Sequence, residues 1–391
     1  MLRNLFLRHI AQTSSSPLLI EIERAKDVYL YAPDGKAYLD LIAGISVSNL
    51  GHGQPDIIAA IHEQAQSYMH VMVYGEYVES PQVRLAQLLT EQLPTVLDNV
   101  YFVNSGAEAV EGALKLAKRA TGRSEIISFQ NSYHGSTHGA MSVTGSEIFR
   151  QAFRHTLPDI RHIRYNCLDD LAYINSRTAC VIIEPVQAEA GVILPHLDFF
   201  TQLRQRCTDV GALLILDEIQ TGMGRTGTLF AFEQLGIVPD ILLLAKSFGG
   251  GMPLGAFIAN KNLMSVLSYQ PILGHISTFG GHPVSCAAAH AALQILLRDK
   301  PQEQASAKAD LFCQHLKHHR IKAIRHFGLL MAVELDGDFE FLQQVVSRCI
   351  KNGVITDWFL FADNCLRIAP PLIISSEQII HACQIICQSL D

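Results

Sequence analysis

A lysine and an aspartate each end a short apolar run, where a buried charge needs a partner. Lys246 ends the run DILLLAK, with a glycine run shortly after it, and Asp217 ends the run ALLILD. Burial lowers the pKa of a lysine and makes its neutral amine a nucleophile, but a lysine at a strand end can also reach water. A buried aspartate either caps the next turn or pairs with a protonated pyridine nitrogen. Taken alone, each residue leaves both interpretations open.

The segment Asn104-Ser105-Gly106-Ala107 offers a place for an anion. It follows the apolar run NVYFV and precedes AEAVEGALKLAKRA, which has the apolar stripe of a helix. Backbone N–H groups at a helix start bind phosphate, especially beside a serine hydroxyl, and Gly106 lets the backbone come close. An ordinary capped helix carries the same residues, so phosphate binding is one of two interpretations.

The glycine motif at residues 222–227 matches G-x-G-x-x-G but lacks the context of a dinucleotide site. The dinucleotide motif follows its strand directly and opens a long helix. Here residues 217–220 intervene, and TLFAFEQLG allows only a short helix. We therefore interpret the motif as a loop. The sequence also lacks G-x-S-x-G, H-E-x-x-H and P-loop patterns, and its histidines are dispersed.

Five short apolar runs between Val100 and Phe257 predict the strands that position these residues. The runs are NVYFVNSG, EIISFQNS, CVIIEPV, ALLILDE and DILLLAKS. They are apolar on both faces, as in strands covered by helices on both sides. Strands that alternate with helices predict an α/β fold with a central, mostly parallel sheet. Ligands bind such sheets at the carboxyl ends of the strands, which is where the polar residues fall.

The flanking regions differ from this alternating part. Residues 28–44 predict a hairpin with Asp34-Gly35 at its turn, and the last third begins with a long helix at about 283–297. We expect a large domain over residues 51–295. The N-terminal segment 1–50 and the C-terminal part 296–391 should pack together as a smaller α+β domain.

Composition and charge limit the class of protein. Of the 391 residues, 49% are hydrophobic and 17% are charged, which predicts a large interior and some surface buried against another subunit. A net charge of -7 with no basic cluster argues against nucleic-acid binding. The nine cysteines lack C-x-x-C spacing, which favours free thiols in a reducing cytoplasm. No apolar run is long enough to span a bilayer.

The N-terminal residues 1–16, MLRNLFLRHIAQTSSS, contain arginine and serine but no acidic residue. Transit peptides share that composition. We interpret the segment instead as an amphipathic helix that docks on the body of the protein through Leu2, Leu5, Phe6 and Ile10.

Together the motifs resemble the class III aminotransferases. In order they are NSGAEA, SYHGST, IIEPVQAEAGV, LILDEIQTGMGRTG, LAKSFGGGMPLGA, STFGGHP and LRIAPPL, preceded by YLYAPDGKAYLDLIAGISVSNLGHGQP. The similarity covers nearly the whole chain and is strongest to the acetylornithine aminotransferase group. It implies a fold type I enzyme that uses pyridoxal 5'-phosphate and works as a homodimer with shared active sites.

The resemblance also implies a role for each matching residue. Lys246 would carry the cofactor as a Schiff base, Asp217 would pair with the ring nitrogen, and Gln220 would lie near the ring hydroxyl. Arg367 would bind a substrate carboxylate, and Glu189 would pair with Arg367 and release it for the second substrate. The other cofactor contacts would come from Ser105, Gly106, Ala107, Tyr133, which stacks on the ring, His134 and, from the other subunit, Thr278.

One position departs from the class. Acetylornithine and ornithine enzymes carry an arginine for the α-carboxylate of the donor where this chain has Ser136, and a hydroxyl does not replace a guanidinium fork. We expect transfer of an ω-amino group from an acetylornithine-like donor to an oxo acid, 2-oxoglutarate above all, by a ping-pong mechanism.

Several alternatives stay open. The donor could be 4-aminobutyrate or another ω-amine, and an aminomutase or a decarboxylase could use the same scaffold. A non-catalytic cofactor-binding protein is less favoured, because Lys246, Asp217 and Arg367 are all present. A nicotinamide dehydrogenase would rest on the glycine motif at 222–227 alone.

Overall fold

A computed structural model describes residues 2–391 of the chain, and its strands form three sheets. We number the strands in chain order. Their bounds are β1 Arg24–Lys26, β2 Tyr29–Tyr31, β3 Ala37–Asp40, β4 Asn99–Val103, β5 Glu125–Phe129, β6 Ile160–Ile163, β7 Thr178–Ile183, β8 Leu213–Asp217, β9 Ile241–Leu244, β10 Gly255–Ala259, β11 Ile321–Phe327, β12 Leu330–Leu335, β13 Val354–Ile355, β14 Asp357–Phe359 and β15 Ala362–Ile368.

The central sheet contains all five strands that the apolar runs predict. Its seven strands follow the order β4-β10-β9-β8-β7-β5-β6. Every residue of β7 and of β9 is buried, as their continuous apolar sequences predict for strands covered on both faces. The α/β fold is therefore confirmed.

Two features of this sheet differ from the pattern read in the sequence. β10 runs antiparallel to both neighbours, β4 and β9. Only residues 245–254 join β9 to β10, and a parallel connection needs a crossover of about a dozen residues or more. β6 has no predicted counterpart, because Ile160–Ile163 is an edge strand that is only partly buried and half polar.

Helices cover the sheets and fill the connections. The helix that the stripe at 107–120 predicts spans Gly106–Thr121 and ends at Gly122, whose φ of 68° suits a glycine. The helical segments are Leu2–His9, Ala43–Ser46 (a short turn with left-handed residues), Pro55–Ser67, Ser80–Thr90, Gly106–Thr121, His138–Val143, Glu147–Arg150, Leu197–Val210, Phe232–Leu235, Lys261–Met264, Pro283–Asp299, Ala305–His315, Phe339–Lys351 and Ser376–Ser389.

The two flanking regions meet in one sheet. β2 and β3 form the predicted hairpin around Asp34-Gly35, with Tyr31 opposite Ala37. β13, from the last third of the chain, pairs parallel with β3 through Val354 and Leu39. The predicted long helix is present as Pro283–Asp299. The domain boundaries at 50 and 295 stay a prediction.

The N-terminal helix forms, but its predicted docking on the body of the chain is wrong. None of the residues Leu2–His9 is buried, and Leu2 and Ile10 are 61% and 57% exposed. An apolar stripe favours a helix by itself, but whether it docks depends on a complementary surface elsewhere. Among residues 2–391, no helix has both the length and the apolar composition needed to cross a bilayer.

Candidate active site

A cavity of about 450 Å³ opens at the carboxyl ends of β4, β7, β8 and β9. Parallel strands in an open α/β sheet place the residues that follow them at one shared edge. The cavity is lined by Val47, Asn104, Ser105, Gly106, Ala107, Tyr133, His134, Gly135, Ser136, Glu184, Asp217, Ile219, Gln220, Thr221, Ala245, Lys246, Gly251, Met252, Pro253 and Leu254. The cavity therefore lies at the strand ends where the sequence predicted a ligand site.

Lys246 extends into this cavity just beyond β9. Its Nζ donates a hydrogen bond of 2.8 Å to Oε1 of Gln220, so its head does not simply reach bulk water. Burial lowers the pKa of Lys246, and the nearby carboxylate of Glu189 only partly opposes that shift. A lysine with a lowered pKa holds more neutral, nucleophilic amine at a given pH.

Asp217 at the tip of β8 is 4% exposed, and each of its carboxylate oxygens has one hydrogen-bond partner. Its Oδ1 accepts the N–H of Ile219 at 3.0 Å, and its Oδ2 lies 2.6 Å from Nδ1 of His134. A carboxylate only accepts, so Nδ1 of His134 carries the hydrogen. Each carboxylate oxygen has two lone pairs, which leaves Asp217 able to accept a further N–H from the cavity. The capping and the charge-pairing interpretations are therefore compatible.

The helix Gly106–Thr121 starts at the cavity wall. Oγ of Ser105 accepts the N–H of Glu108 at 3.2 Å, which makes Ser105 the N-cap. A Cβ on Gly106 would lie 2.9 Å from Cδ1 of Ile219, so any other residue here would require the side chain of Ile219 to move. The first N–H groups of a helix have no intrahelical acceptor, and Gly106 and Ala107, the first two residues of this helix, line the cavity.

Glu184 is a site residue to which the sequence analysis gave no role. It follows β7 directly and is 6% exposed. Its carboxyl accepts the N–H of Tyr133 at 3.0 Å and that of Ala188 at 3.3 Å. Burial raises the pKa of Glu184 well above its usual value, and the charge of Asp217 adds to the shift. The signal that marks Asp217, an acid at the end of a buried strand, also marks Glu184.

Arg367 and Glu189 form a buried ion pair next to the cavity. Nη1 and Nη2 of Arg367 donate to the two carboxylate oxygens of Glu189 at 2.8 and 3.0 Å. Nε donates to Asp357 at 2.8 Å, and the guanidinium lies 4.4 Å from the ring centre of Phe359. Burial opposes both charges, yet the pair lowers the pKa of Glu189 and raises that of Arg367. Both residues are therefore charged in the folded protein.

The structure brings most of the predicted site residues together. Lys246, Asp217, Gln220, Tyr133 and His134 line the cavity with the Ser105–Ala107 segment. Arg367 and Glu189 contact each other as predicted, but they are not part of the lining.

Two further positions complete the comparison with the sequence. Thr278 is exposed and absent from the lining, so its predicted contact with another subunit stays a prediction. Ser136 lines the cavity, with its Oγ 3.2 Å from the hydroxyl of Tyr133. Among the lining residues, Lys246 is the only lysine or arginine.

The cavity fits the pyridoxal phosphate that the resemblance implies. Its walls combine a helix start for a phosphate, a buried carboxylate for a protonated ring nitrogen and a lysine for a carbonyl carbon. Gln220 supplies a specific sign of a missing partner, because its buried Nε2 has no hydrogen-bond acceptor in the described chain. A ring hydroxyl or phenolate beside Gln220 would accept from that group.

Comparison with known proteins agrees with this arrangement. The family description "Aminotransferase class-III" matches residues 10–390. The acetylornithine aminotransferase of Methanothermobacter thermautotrophicus is 38% identical over 92% of this chain and 91% of its own length. That of Clostridium acetobutylicum is 36% identical, and the match covers 95% of this chain and 96% of that protein.

Solved structures show the same similarity. The ornithine aminotransferase of Toxoplasma gondii, whose active site holds pyridoxal phosphate at partial occupancy, superposes with a TM-score of 0.91. It is 31% identical, and the match covers 99% of this chain and 92% of that one. The family match and these relatives show that this chain belongs to the class III aminotransferases, enzymes that depend on pyridoxal phosphate.

Proposed function

We propose that this protein transfers the terminal amino group of an ω-amine donor to a dicarboxylic oxo acid, 2-oxoglutarate above all, in two half-reactions that use one cavity. The observation that carries the proposal is a cavity holding Lys246 and Asp217, with the Arg367–Glu189 pair beside it. The similarity to acetylornithine aminotransferases supports an ω-amine as donor.

The residues of the cavity have distinct roles in this proposal. Bound pyridoxal phosphate supplies an electron sink for the pair left on the substrate carbon when its proton departs. Asp217, oriented by its hydrogen bond with His134, would pair with the protonated ring nitrogen. Tyr133 covers the ring, and the helix start at Ser105, Gly106 and Ala107 binds the phosphate. Lys246 holds the cofactor and, once released, takes the proton from the substrate carbon.

The Arg367–Glu189 pair would let one cavity accept two different substrates. While the pair is closed, its charges offset each other, which suits a donor that presents no carboxylate to Arg367. An oxo acid with a second carboxylate competes with Glu189 for the guanidinium fork, which binds carboxylates bidentately. Asp357 and the carbonyl oxygen of Trp358 would still hold Arg367 after Glu189 leaves, because Asp357 accepts from Nε and Trp358 accepts from Nη2 independently of Glu189.

The half-reaction spectrum is the first test. The purified enzyme should show the visible absorption band of the lysine-bound cofactor, and a true donor should bleach that band without any oxo acid. Acetylornithine, 4-aminobutyrate and 1,4-diaminobutane are compared separately, and 2-oxoglutarate should restore the band afterwards. Bleaching that no oxo acid reverses, or turnover without one, would favour an aminomutase or a decarboxylase over a transaminase.

The donor preference depends on Ser136. The cavity lining has no lysine or arginine besides Lys246, so it offers no guanidinium fork for the α-carboxylate at the far end of acetylornithine. We expect Ser136→Arg to raise kcat/KM for acetylornithine by about 10-fold or more, because a bidentate contact to a charged group contributes about 1.5–3 kcal/mol. The carboxylate-free 1,4-diaminobutane is the control donor, and an equal gain for both donors would contradict the prediction.

The lowered pKa of Lys246 gives a pH prediction. A lowered amine pKa means that the neutral amine appears at lower pH, so the apoenzyme should bind pyridoxal phosphate covalently well below the usual lysine value of about 10.4. Glu189→Gln removes an anion that raises this pKa and should shift the rate profile to still lower pH. The rate at which the visible band grows, measured from about pH 6 to about pH 10, gives this profile. An unshifted profile in the variant would contradict the effect of Glu189 on the pKa of Lys246.

We further propose that the protein forms a homodimer in which Thr278 of one subunit contacts the cofactor phosphate of the other. We also propose that the protein is located in the cytoplasm. Thr278 lies in an exposed segment with Ile272, Ile276 and Phe279, which are 75%, 50% and 54% exposed. An exposed apolar segment of this kind favours burial against a second copy. The nine free cysteines support a reducing compartment. Light scattering should give twice the mass of one chain, and a monomer would contradict the shared site.

A further inference from the structure

Arg225 is a buried arginine that forms no salt bridge with the nearby Asp40. It is 0% exposed, and within residues 2–391 it takes part in no salt bridge. Its Nη1 donates to the carbonyl oxygens of Leu329 at 3.0 Å and Pro370 at 2.6 Å, and its Nη2 donates to Oδ1 of Asn49. Burial lowers the pKa of Arg225 to about 9. Burying such a charge costs free energy, and we therefore ask what the contacts of Arg225 hold in place.

The three acceptors of Arg225 lie on separate parts of the chain. Asn49 lies two residues after the cavity residue Val47, Leu329 immediately precedes strand β12, and Pro370 lies two residues beyond the end of β15, the strand that contains Arg367. Arg225 itself belongs to the loop that follows Asp217 and contains Gln220. One guanidinium therefore joins the segment of the cofactor site to the segment of the carboxylate site.

Backbone contacts around Arg225 hold the same segments together. Its carbonyl oxygen accepts the N–H of Leu329 at 3.1 Å. Nδ2 of Asn49 donates to the carbonyl oxygen of Met223, and the carbonyl oxygen of Asn49 accepts the N–H of Leu372. Gly328 packs so tightly that an added Cβ would lie 2.5 Å from the carbonyl carbon of Thr226. A planar fork with several donors can satisfy acceptors in different directions, whereas an ammonium on a flexible stem fixes none of their relative positions.

We propose that Arg225 is a positioning residue that fixes the carboxylate-binding Arg367 relative to Lys246. It does not line the cavity, and it acts through Pro370 on β15, which carries Arg367, and through Leu329 on the neighbouring strand β12. The inference rests on the proposed function, because it assumes that Arg367 binds a dicarboxylate. A displacement of about 1 Å at such a site can lower a rate by about 100-fold, so the effect should be measurable.

The test separates carboxylate binding from the rest of the reaction. Binding of glutarate, an unreactive dicarboxylate, to the holoenzyme is measured by calorimetry. In parallel, enzyme loaded with pyridoxamine phosphate is mixed with 2-oxoglutarate or with butanal, which has no carboxylate, and the return of the visible band is timed. For Arg225→Lys we expect glutarate Kd to rise about 10-fold or more and the rate with 2-oxoglutarate to fall, while the rate with butanal changes by less than about 3-fold.

Arg123→Lys is the matched control. Nη1 of Arg123 also donates to three carbonyl oxygens, those of Thr178, Val210 and Gly211, at 3.0, 2.9 and 3.0 Å. These groups lie at the amino ends of β7 and β8, the edge opposite the cavity. This variant should leave both glutarate Kd and the ratio of the two rates unchanged.

A milder variant covers the case in which Arg225→Lys does not fold. Asn49→Ala removes one acceptor and should change glutarate Kd in the same direction by a smaller factor. Equal losses with 2-oxoglutarate and butanal, or an unchanged glutarate Kd, would overturn the role of Arg225. Wild-type enzyme that binds no glutarate would instead overturn the proposed dicarboxylate site and the role of Arg225 with it.

Discussion

Replacing Lys246 with alanine is expected to lower kcat by about 10³-fold to 10⁴-fold, the largest loss from a single change in the cavity. The variant loses both the nucleophile for the cofactor carbonyl and the base that takes the proton from the substrate carbon. Its burial-lowered pKa keeps Lys246 suited to both tasks, and no other lysine or arginine among the lining residues can replace it.

Steady-state turnover and the visible spectrum measure this loss together. Lys246→Ala should also lose the visible band of the lysine-bound cofactor, because no amine remains to bind it covalently. Lys261→Ala serves as the control, since the side chain of Lys261 is exposed and lies outside the cavity. Normal turnover by Lys246→Ala would refute the assignment of Lys246 and of the transaminase mechanism.

The cofactor end of the site could be predicted from local sequence patterns. A buried strand exposes its last residues at the sheet edge, so the apolar runs alone are enough to place Asp217 and Lys246 there. Glu184 carries the same signal at the end of β7 and could have been found in the same way. The hydrogen bond between His134 and Asp217 has no local signal, because it joins loops after different strands.

The carboxylate end required the resemblance or the structure. Arg367 and Glu189 are 178 positions apart, and no periodicity links a strand arginine to a loop acid at that separation. Arg225 is harder still, since it lies in a glycine-rich loop and its acceptors are mostly main-chain carbonyls, which carry no sequence signature. The antiparallel direction of β10 follows from its short connection to β9 and not from the apolar pattern of the strands. The N-terminal helix is exposed because docking needs a complementary surface, which an amphipathic pattern does not specify.

Replacing Arg367 is expected to have the second large effect, on both stability and substrate binding. Arg367→Gln leaves the carboxylates of Glu189 and Asp357 buried without their cation, and breaking a buried pair in this way costs about 3–5 kcal/mol of unfolding free energy. The same variant should raise KM for 2-oxoglutarate, because its second carboxylate loses the guanidinium fork. Thermal unfolding and steady-state kinetics measure the two effects separately.

The loss of stability should grow with pH, and its sign follows from the two carboxyl groups. In the wild type Arg367 lowers the pKa of Glu189, so this ion pair contributes stability above the unfolded pKa that is lost as pH falls. Without Arg367, burial raises both pKa values above those of the unfolded chain; that of Asp357 is already raised to about 6 with Arg367 present. Raised acid pKa values favour the folded state at low pH, and this stability is lost as pH rises through them.

Arg367→Gln should therefore lie closer to the wild type in melting temperature at about pH 5 than at about pH 8. Arg367→Lys separates stability from recognition, because it keeps a cation beside Glu189 and Asp357 but lacks the fork. It should recover most of the stability and still raise KM for 2-oxoglutarate by about 10-fold to 100-fold, while a carboxylate-free aldehyde acceptor is affected little. A lysine variant with wild-type KM would show that the fork is not what selects the acceptor, and a glutamine variant whose deficit is the same at both pH values would show that Glu189 and Asp357 are not charged partners of Arg367.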